Sequence, residues 1–226
     1  MILKESIFEK DENNDLEIYA SENSIHKGKE QHHYTRYYNF YFSSIRDNNL
    51  NVLEIGVERG SSLKMWKEYF KNSNIYGIEK NISVVDKDLV KECIIFEGDQ
   101  TDIKFLKKVC DSVEDGFDII IDDGSHITSD QVETFEYLFK KMNSGGIYII
   151  EDLQTSYRKS YKKGKHPNAI KYFQKRVNDV FFNGKFKCNS FSRILKKTTG
   201  LTKYERMIEG ISFYPGMCFI FKRFCK

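Results

Sequence analysis

Two short acidic stretches of the sequence each follow a run of apolar residues. Asp122 and Asp123 come directly after one run, and Glu151 and Asp152 come directly after the next. Consecutive residues of a strand point to opposite faces, so only one of Asp122 and Asp123 can face a shared pocket. If the two runs are neighbouring strands, about 5 Å apart, then Asp123, Glu151 and Asp152 converge. Three carboxylates at one place raise one another's pKa values unless a cation lies among them, so the pattern predicts a metal site.

The predicted ligands also indicate a metal and a reaction. Oxygen ligands favour Mg²⁺, with Mn²⁺ as the alternative, and three protein ligands leave coordination positions for substrate oxygens. A cation that binds a hydroxyl lowers the pKa of that hydroxyl, and a neighbouring base can then take the proton. His126, three residues after Asp123, is the candidate base. This set of residues is suited to the methylation of an alcohol.

A structural interpretation of the same residues stays open. A histidine near the end of a strand is more often a core or helix-capping residue than a base. Acidic pairs such as Asp122-Asp123 and Glu151-Asp152 commonly cap the helix that follows them.

Residues suited to a nucleotide cofactor follow the first predicted strand. Glu54, Gly56 and Gly60 form the pattern E-x-G-x-x-x-G, and Ser62 lies at the start of the next helix. Glycines allow a ligand to approach the backbone closely, and the free N–H groups of a helix start suit a carboxylate. A tight strand-to-helix turn that binds nothing is the alternative interpretation.

Further acids follow the next predicted strands. Glu79 is placed to accept hydrogen bonds from ribose hydroxyls, Asp99 and Gln100 to bind the adenine amino group, and Asp122 to face the cofactor. Each of these residues by itself could be a solvated loop residue. Because the glycine pattern differs from the dinucleotide G-x-G-x-x-G and a sulfonium tolerates acidic surroundings, we expect S-adenosylmethionine (SAM) rather than NAD.

A sheet must bring these strand ends together. Apolar runs alternate with amphipathic stretches, which predicts an α/β, Rossmann-like fold with a mostly parallel sheet and helices on both faces. A C-terminal hairpin adds an antiparallel edge and completes seven strands. The predicted strands are Val52–Ile55, Ile75–Ile78, Ile94–Phe96, Phe117–Ile121, Ile147–Ile150, Ile211–Tyr214 and Met217–Phe221, and the predicted helices are Leu63–Phe70, a weak one near Val84–Val90, Ile103–Val109, Val132–Met142 and Ala169–Phe182.

Composition limits the partners and the compartment. The 226 residues include 36 basic and 33 acidic side chains, for a net charge of +3, so we expect neither a nucleic-acid nor a membrane partner. The five cysteines form no C-x-x-C pair, and there is no signal peptide or long apolar run, which favours the cytoplasm. We expect an aromatic, helical segment at 1–45 that packs near the cofactor, followed by the catalytic domain at 46–226.

A basic stretch, residues 157–166, allows three interpretations. It is a solvated loop, a contact in a SAM-binding or nucleic-acid-binding module without sugar chemistry, or a site for the diphosphate of a nucleotide-activated sugar.

Three motifs resemble those of the metal-dependent sugar O-methyltransferases of macrolide biosynthesis and of related enzymes that modify bacterial surface sugars. They are L-E-I-G-V at 53–57, I-D-D-G-S-H at 121–126 and Y-I-I-E-D-L at 148–153. The resemblance implies a class I methyltransferase fold and a sugar or sugar-nucleotide acceptor. Its oligomeric contacts do not transfer to this chain, for which a homo-oligomer is one open assembly state. It also implies Mg²⁺ bound by Asp123, Glu151 and Asp152, His126 as the base and Asp122 at SAM.

The resemblance extends to a segment before the first strand. Lys27-Gly28 and His33-Tyr34 match it, which implies that Lys27 and Tyr34 contact the cofactor, although Ile25-His26 replaces the usual acidic residue. A catechol-type, acyl-CoA-linked or other small-molecule O-methyltransferase is the alternative enzyme. Its Asp, Asp-Asn ligand pattern fits less well, because Glu151-Asp152 contains no Asn.

Overall fold

The computed structural model describes residues 8, 14–22, 25–182 and 200–224. The chain divides into two compact units, Met1–Glu97 and Gly98–Lys226. No helix in the described ranges is long and apolar enough to cross a membrane. Cys93, Cys110 and Cys218 are free thiols, while Cys188 and Cys225 lie outside the described residues.

The first unit is built on three parallel strands. The strand at Asn74–Glu79 pairs with the strands at Asn51–Ile55 and Ile94–Glu97. The strand at Asn51–Ile55 is buried along its whole length. Such complete burial is typical of a parallel strand rich in branched apolar residues. The elements are α1 (Asp15–Glu22), α2 (Thr35–Phe42), β1 (Asn51–Ile55), α3 (Ser61–Tyr69), β2 (Asn74–Glu79) and β3 (Ile94–Glu97).

The aromatic residues before β1 form α2, as the sequence predicts. Tyr38 and Phe42 are fully buried. Their rings pack against Trp66 of α3, with centroids 4.9 and 6.3 Å away. These contacts hold α2, which follows the segment that contains Lys27, against α3.

The helix predicted near Val84–Val90 is wrong. The structure has a short 3₁₀ helix at Ile82–Val84, followed by turns. Ile82 and Val84 are exposed whereas Val85 and Val90 are buried, so the apolar residues of this segment do not form the continuous stripe that a packed helix needs.

The second unit contains two parallel strands and the C-terminal hairpin. The hairpin turns at Pro215-Gly216, and its last strand pairs antiparallel with the preceding parallel strand. The elements are α4 (Ile103–Asp111), β4 (Ile119–Asp122), α5 (Thr128–Lys141), β5 (Ile147–Ile150), two 3₁₀ helices (Leu153–Tyr157 and Lys159–Tyr161), α6 (Ala169–Val180), α7 (Lys203–Met207), β6 (Ile208–Tyr214) and β7 (Met217–Lys222).

The seven strands follow the order β3-β2-β1-β4-β5-β7-β6. The predicted α/β class, the mostly parallel sheet and the antiparallel C-terminal hairpin are therefore confirmed. Because β1, β2, β4 and β5 have the predicted chain direction, the acids that follow them lie at the carboxyl ends of strands, where ligands bind in open α/β sheets.

Candidate active site

Glu54 contacts two other predicted cofactor residues of the first unit. Its side chain on β1 is fully buried. The Ser62 hydroxyl donates a hydrogen bond to one carboxylate oxygen at 2.6 Å, and the Lys27 ammonium lies 3.2 Å from the other. A buried carboxylate is tolerated when a cation and a hydrogen-bond donor satisfy it, so the Lys-Gly segment has a structural partner at the end of β1.

The turn between β1 and α3 has an unusual backbone. Gly56, Glu58 and Gly60 have φ values of 87°, 51° and 99°. A Cβ at Gly60 would lie 2.4 Å from a methyl carbon of Val90, so a side chain does not fit there. No side chain caps the first turn of α3, which leaves that turn suited to an anionic ligand group.

Glu79 lies at the end of β2 and is partly exposed. One carboxylate oxygen accepts the N–H of Glu58 and the other accepts the N–H of Asn81, each at 2.9 Å. An ionised carboxylate offers about four acceptor positions, so the oxygens can accept further hydrogen bonds.

Tyr34, another predicted cofactor residue, is buried, and its N–H donates to the Lys27 carbonyl at 2.8 Å.

Asp122, at the end of β4, is fully buried among hydrogen-bond donors of the second unit. The Gln100 amide and the Tyr148 hydroxyl each donate to it at 3.2 Å. Burial raises the pKa of Asp122 to about 7, against the opposing effect of these hydrogen bonds. This carboxyl group is held in one orientation by its own unit.

Gln100 supports the loop that follows Asp122. Its amide N–H₂ also donates to the Thr134 hydroxyl at 3.2 Å, and its carbonyl accepts the Ser125 N–H at 2.8 Å. A Cβ at Gly124 would lie 2.1 Å from that carbonyl oxygen. The glycine of D-D-G-S-H therefore allows Gln100 to hold the loop, a role that the sequence did not indicate. The neighbouring Asp99 accepts the N–H of Thr101 at 2.9 Å.

Two of the three predicted metal ligands and the predicted base converge in the second unit. Potential ligand atoms of Asp123, His126 and Asp152 all lie within 4.8 Å of one another. The His126 Nε2 atom is 4.0 Å from an Asp123 oxygen and 3.7 Å from an Asp152 oxygen. A carboxylate oxygen of the buried Glu151 also lies within 4.8 Å of one of Asp123.

Helix capping does not explain this cluster. The residue before α5 is Ile127, and no side chain caps that helix. Asp152 precedes a 3₁₀ helix but makes no capping hydrogen bond. The capping interpretation is therefore wrong for Asp123 and Asp152. His126 is not a core residue either, since 25% of its side chain is exposed.

Backbone strain is concentrated at two of these residues. His126 and Asp152 have φ values of 56° and 53°, a left-handed conformation that is costly for residues other than glycine and persists only where the surroundings impose it. The buried Thr155 hydroxyl lies 3.1 Å from the His126 carbonyl and 2.8 Å from the Asp152 carbonyl. Sequence reasoning missed Thr155, because nothing in its spacing indicates a contact with residue 126.

The donor set fits a hard divalent cation. Asp123, Glu151 and Asp152 offer carboxylate oxygens, the ligand type that Mg²⁺ prefers. Within the described part of the chain, the buried Nδ1 of His126 has no hydrogen-bond partner, and its Nε2 lies 4.0 and 3.7 Å from the carboxylates of Asp123 and Asp152. The imidazole is thus available to take a proton beside the carboxylates.

Curated relatives of the chain are sugar O-methyltransferases. A rhamnosyl tetracenomycin-C 2'-O-methyltransferase from Streptomyces olivaceus is 33% identical over 204 residues, which are 85% of this chain and 50% of that protein. The mycinamicin VI 2''-O-methyltransferase of Micromonospora griseorubida is 39% identical over 135 residues, 56% of this chain and 33% of the relative. The chain thus spans half or less of the length of these relatives. No protein-family model matches it.

The chain also resembles solved structures of a methyltransferase. The MycE methyltransferase from the mycinamycin biosynthetic pathway, in complex with Mg and SAH, superposes with a TM-score of 0.78 and 27% identity, over 92% of this chain and 54% of that one. A further MycE structure contains Mg, SAH and mycinamycin VI, with a TM-score of 0.75. The predicted resemblance and the predicted class I methyltransferase fold are confirmed.

Proposed function

We propose that this chain is a SAM-dependent, Mg²⁺-assisted O-methyltransferase that acts on a sugar hydroxyl. The observation that carries the proposal is the convergence of Asp123 and Asp152 with His126 at strand ends of a methyltransferase fold. The names of the relatives, which methylate sugar-bearing natural products, support the sugar as acceptor.

The cofactor supplies the methyl group when it is bound. In the first unit, Glu79 would bind the ribose hydroxyls, and the uncapped start of α3 would bind the carboxylate of the amino-acid part. Glu54 would be held in place by Lys27 and Ser62 and so keep the strand end rigid. The proposed cofactor residues are Lys27, Tyr34, Glu54, Gly56, Gly60, Ser62 and Glu79 of the first unit and Asp99, Gln100 and Asp122 of the second.

The acceptor side of the reaction is assigned to the second unit. Asp123, Glu151 and Asp152 would hold Mg²⁺, which when bound orients the acceptor and makes its hydroxyl more acidic. His126 would take the proton from that hydroxyl. Thr155 would keep His126 and Asp152 in their strained conformations, so the base and the carboxylates stay in place during the reaction.

Three further parts of the proposal concern the context of the enzyme. We place it in the cytoplasm, which agrees with three free thiols among the described residues. Residues 1–45 would act as an aromatic segment beside the cofactor, ahead of the catalytic domain at 46–226. A homo-oligomer, and the absence of nucleic-acid and membrane partners, stay predictions.

A methyl-transfer screen tests the proposed function. Labelled SAM is incubated with the protein and with panels of free glycosides, sugar nucleotides and catechols, each with Mg²⁺, with Mn²⁺ and with no divalent cation. We expect label on a sugar and only in the presence of a cation. Transfer to catechols but to no sugar, or transfer that does not depend on a cation, would contradict the proposal.

A further inference from the structure

A cluster of exposed cations follows the candidate metal site along the chain. The basic segment, defined here as residues 158–165, contains no acidic residue. All its cationic side chains are exposed, and none forms an ion pair with a carboxylate in the described ranges. These side chains are Arg158, Lys159, Lys162, Lys163 and Lys165.

Hydrogen bonds hold the basic segment against the start of α5. The Thr128 hydroxyl donates to the Tyr161 carbonyl at 3.2 Å, and the N–H of His166 donates to the Ser129 hydroxyl at 2.8 Å. Thr128 and Ser129 are buried. The segment is therefore attached to a buried helix start in its middle, at Tyr161, and immediately after its last residue, at His166.

The same helix start lies next to the candidate base. Thr128 follows His126 by two residues, and the Tyr161 ring centroid is 6.5 Å from that of His126. The N–H of Arg158 donates to the carbonyl of Thr155 at 2.8 Å, and Thr155 also holds the His126 backbone. The backbone of the basic segment therefore passes beside the group that would deprotonate the acceptor.

The basic segment carries more positive charge than the binding of a neutral sugar requires. Like charges that are close together repel, and a bound anion offsets that repulsion. Sugar hydroxyls are neutral and are bound by ordinary hydrogen bonds, whereas several adjacent Lys and Arg side chains suit the oxygens of phosphate groups.

We propose that the basic segment binds a diphosphate carried by the sugar acceptor. This inference rests on the proposed function and names its substrate class: a sugar with a diphosphate at its anomeric carbon. A nucleic acid is the less favoured ligand, because the cations are confined to eight residues and the net charge of the chain is only +3. A sugar diphosphate has its charges close to the hydroxyls that are methylated, which fits a basic segment that passes beside the candidate base.

Binding of inorganic pyrophosphate tests the segment without the reaction. Calorimetry is done in metal-free buffer, so that Mg²⁺ does not contribute. We expect wild-type protein to bind pyrophosphate, with an affinity that falls as NaCl is added. The double variant Lys162→Gln/Lys163→Gln should bind pyrophosphate at least about tenfold more weakly than wild type, since each substitution removes a charged donor to the phosphate oxygens.

The control is Lys104→Gln/Lys108→Gln, which removes the same charge from the exposed face of α4. It should bind pyrophosphate like wild type, and both variants should keep wild-type affinity for S-adenosylhomocysteine (SAH). Absence of pyrophosphate binding by wild type, or equal weakening by the control, would overturn the inference. So would tighter binding of an RNA oligonucleotide than of UDP-glucose.

Turnover separates this inference from the proposed function. We expect wild-type protein to methylate UDP-glucose or a polyprenyl diphosphate-linked glucose faster than methyl glucoside, and the faster of the two identifies the source of the diphosphate. Cation-dependent methylation that favours the neutral glycoside would overturn the diphosphate site while leaving the proposed function intact. SAH that does not bind at all would instead remove the proposed function.

Discussion

The acids proposed for the cofactor in the first unit and those proposed for the cation in the second unit are accommodated in different ways. In the first unit, Glu54 is held by Ser62 and Lys27, and Glu79 by backbone N–H groups, so protein donors satisfy these charges. In the second unit, Asp123 and Asp152 converge on His126 at distances of 4.0 and 3.7 Å, beyond the length of a hydrogen bond.

This difference indicates what each unit needs from outside. Acids that protein donors already orient can bind a neutral ribose without a cation. Carboxylates that converge on one another gain most from a divalent cation, which offsets their mutual repulsion. Changes to Asp123, Asp152 and His126 should therefore affect turnover, and changes to Glu54 and Glu79 should affect cofactor affinity.

Removal of the cation should have the largest effect. Turnover in metal-free buffer should fall about 10³-fold or more, because a catalytic cation contributes several kcal/mol and about 1.4 kcal/mol corresponds to a tenfold change in rate. SAH affinity, measured by calorimetry, should stay the same, and added Mg²⁺ should restore turnover. Full activity after exhaustive chelation would remove the distinction between the units.

Replacement of the candidate base should have the second-largest effect on turnover. His126→Asn should lower kcat by about 10²–10⁴-fold, the usual contribution of a general base. Asn tolerates the left-handed backbone of residue 126 better than most residues, so the variant isolates the side chain. Quench-flow rates and SAH titrations check it, and near-normal kcat would assign the proton transfer to another group.

A substitution in the first unit should show the opposite behaviour. Glu79→Ala should weaken SAM binding by about 1–3 kcal/mol, the scale of lost charge-assisted hydrogen bonds, with no change in Mn²⁺ affinity. Glu92→Ala removes an exposed acid of the same unit and serves as the control. If Glu79→Ala alters Mn²⁺ affinity and not SAM affinity, the assignment of the first unit to the cofactor is wrong.

The smallest effect is expected at Thr155. Thr155→Val keeps the shape but removes the hydroxyl that contacts the His126 and Asp152 carbonyls. A loss of about 1–2 kcal/mol in unfolding free energy and a decrease of about tenfold in kcat, with the acceptor KM nearly constant, should result. Thr155→Ser should restore kcat. A stability loss with unchanged kcat would reduce Thr155 to a structural residue.

Much of the fold could be predicted because buried parallel strands read as continuous apolar runs. The structure has β5 at Ile147–Ile150, as predicted, and extends β1 by one residue, to Asn51. The helix near Val84–Val90 was wrong because its apolar residues point in different directions in the folded chain. Local composition does not reveal that.

The candidate site could be predicted as far as strand ends determine it. The choice of Asp123 over Asp122 follows from the alternation of faces along a strand, and its approach to Glu151 and Asp152 follows from the parallel pairing of β4 and β5. The support given by Gln100 and Thr155 could not be predicted, because each contact joins residues more than 20 positions apart, as the hydrogen bonds to Ser125 and His126 show.

Binding of Mn²⁺, followed by electron paramagnetic resonance, tests the central claim most directly. Wild-type protein should bind one Mn²⁺ ion without SAM or acceptor. Asp123→Asn should lose most of that binding, whereas Glu114→Gln, which removes an exposed acid of the same unit, should bind like wild type. A wild-type protein that binds no Mn²⁺, or an Asp123→Asn variant that binds it unchanged, would contradict the assignment of a divalent cation to the carboxylates of the second unit.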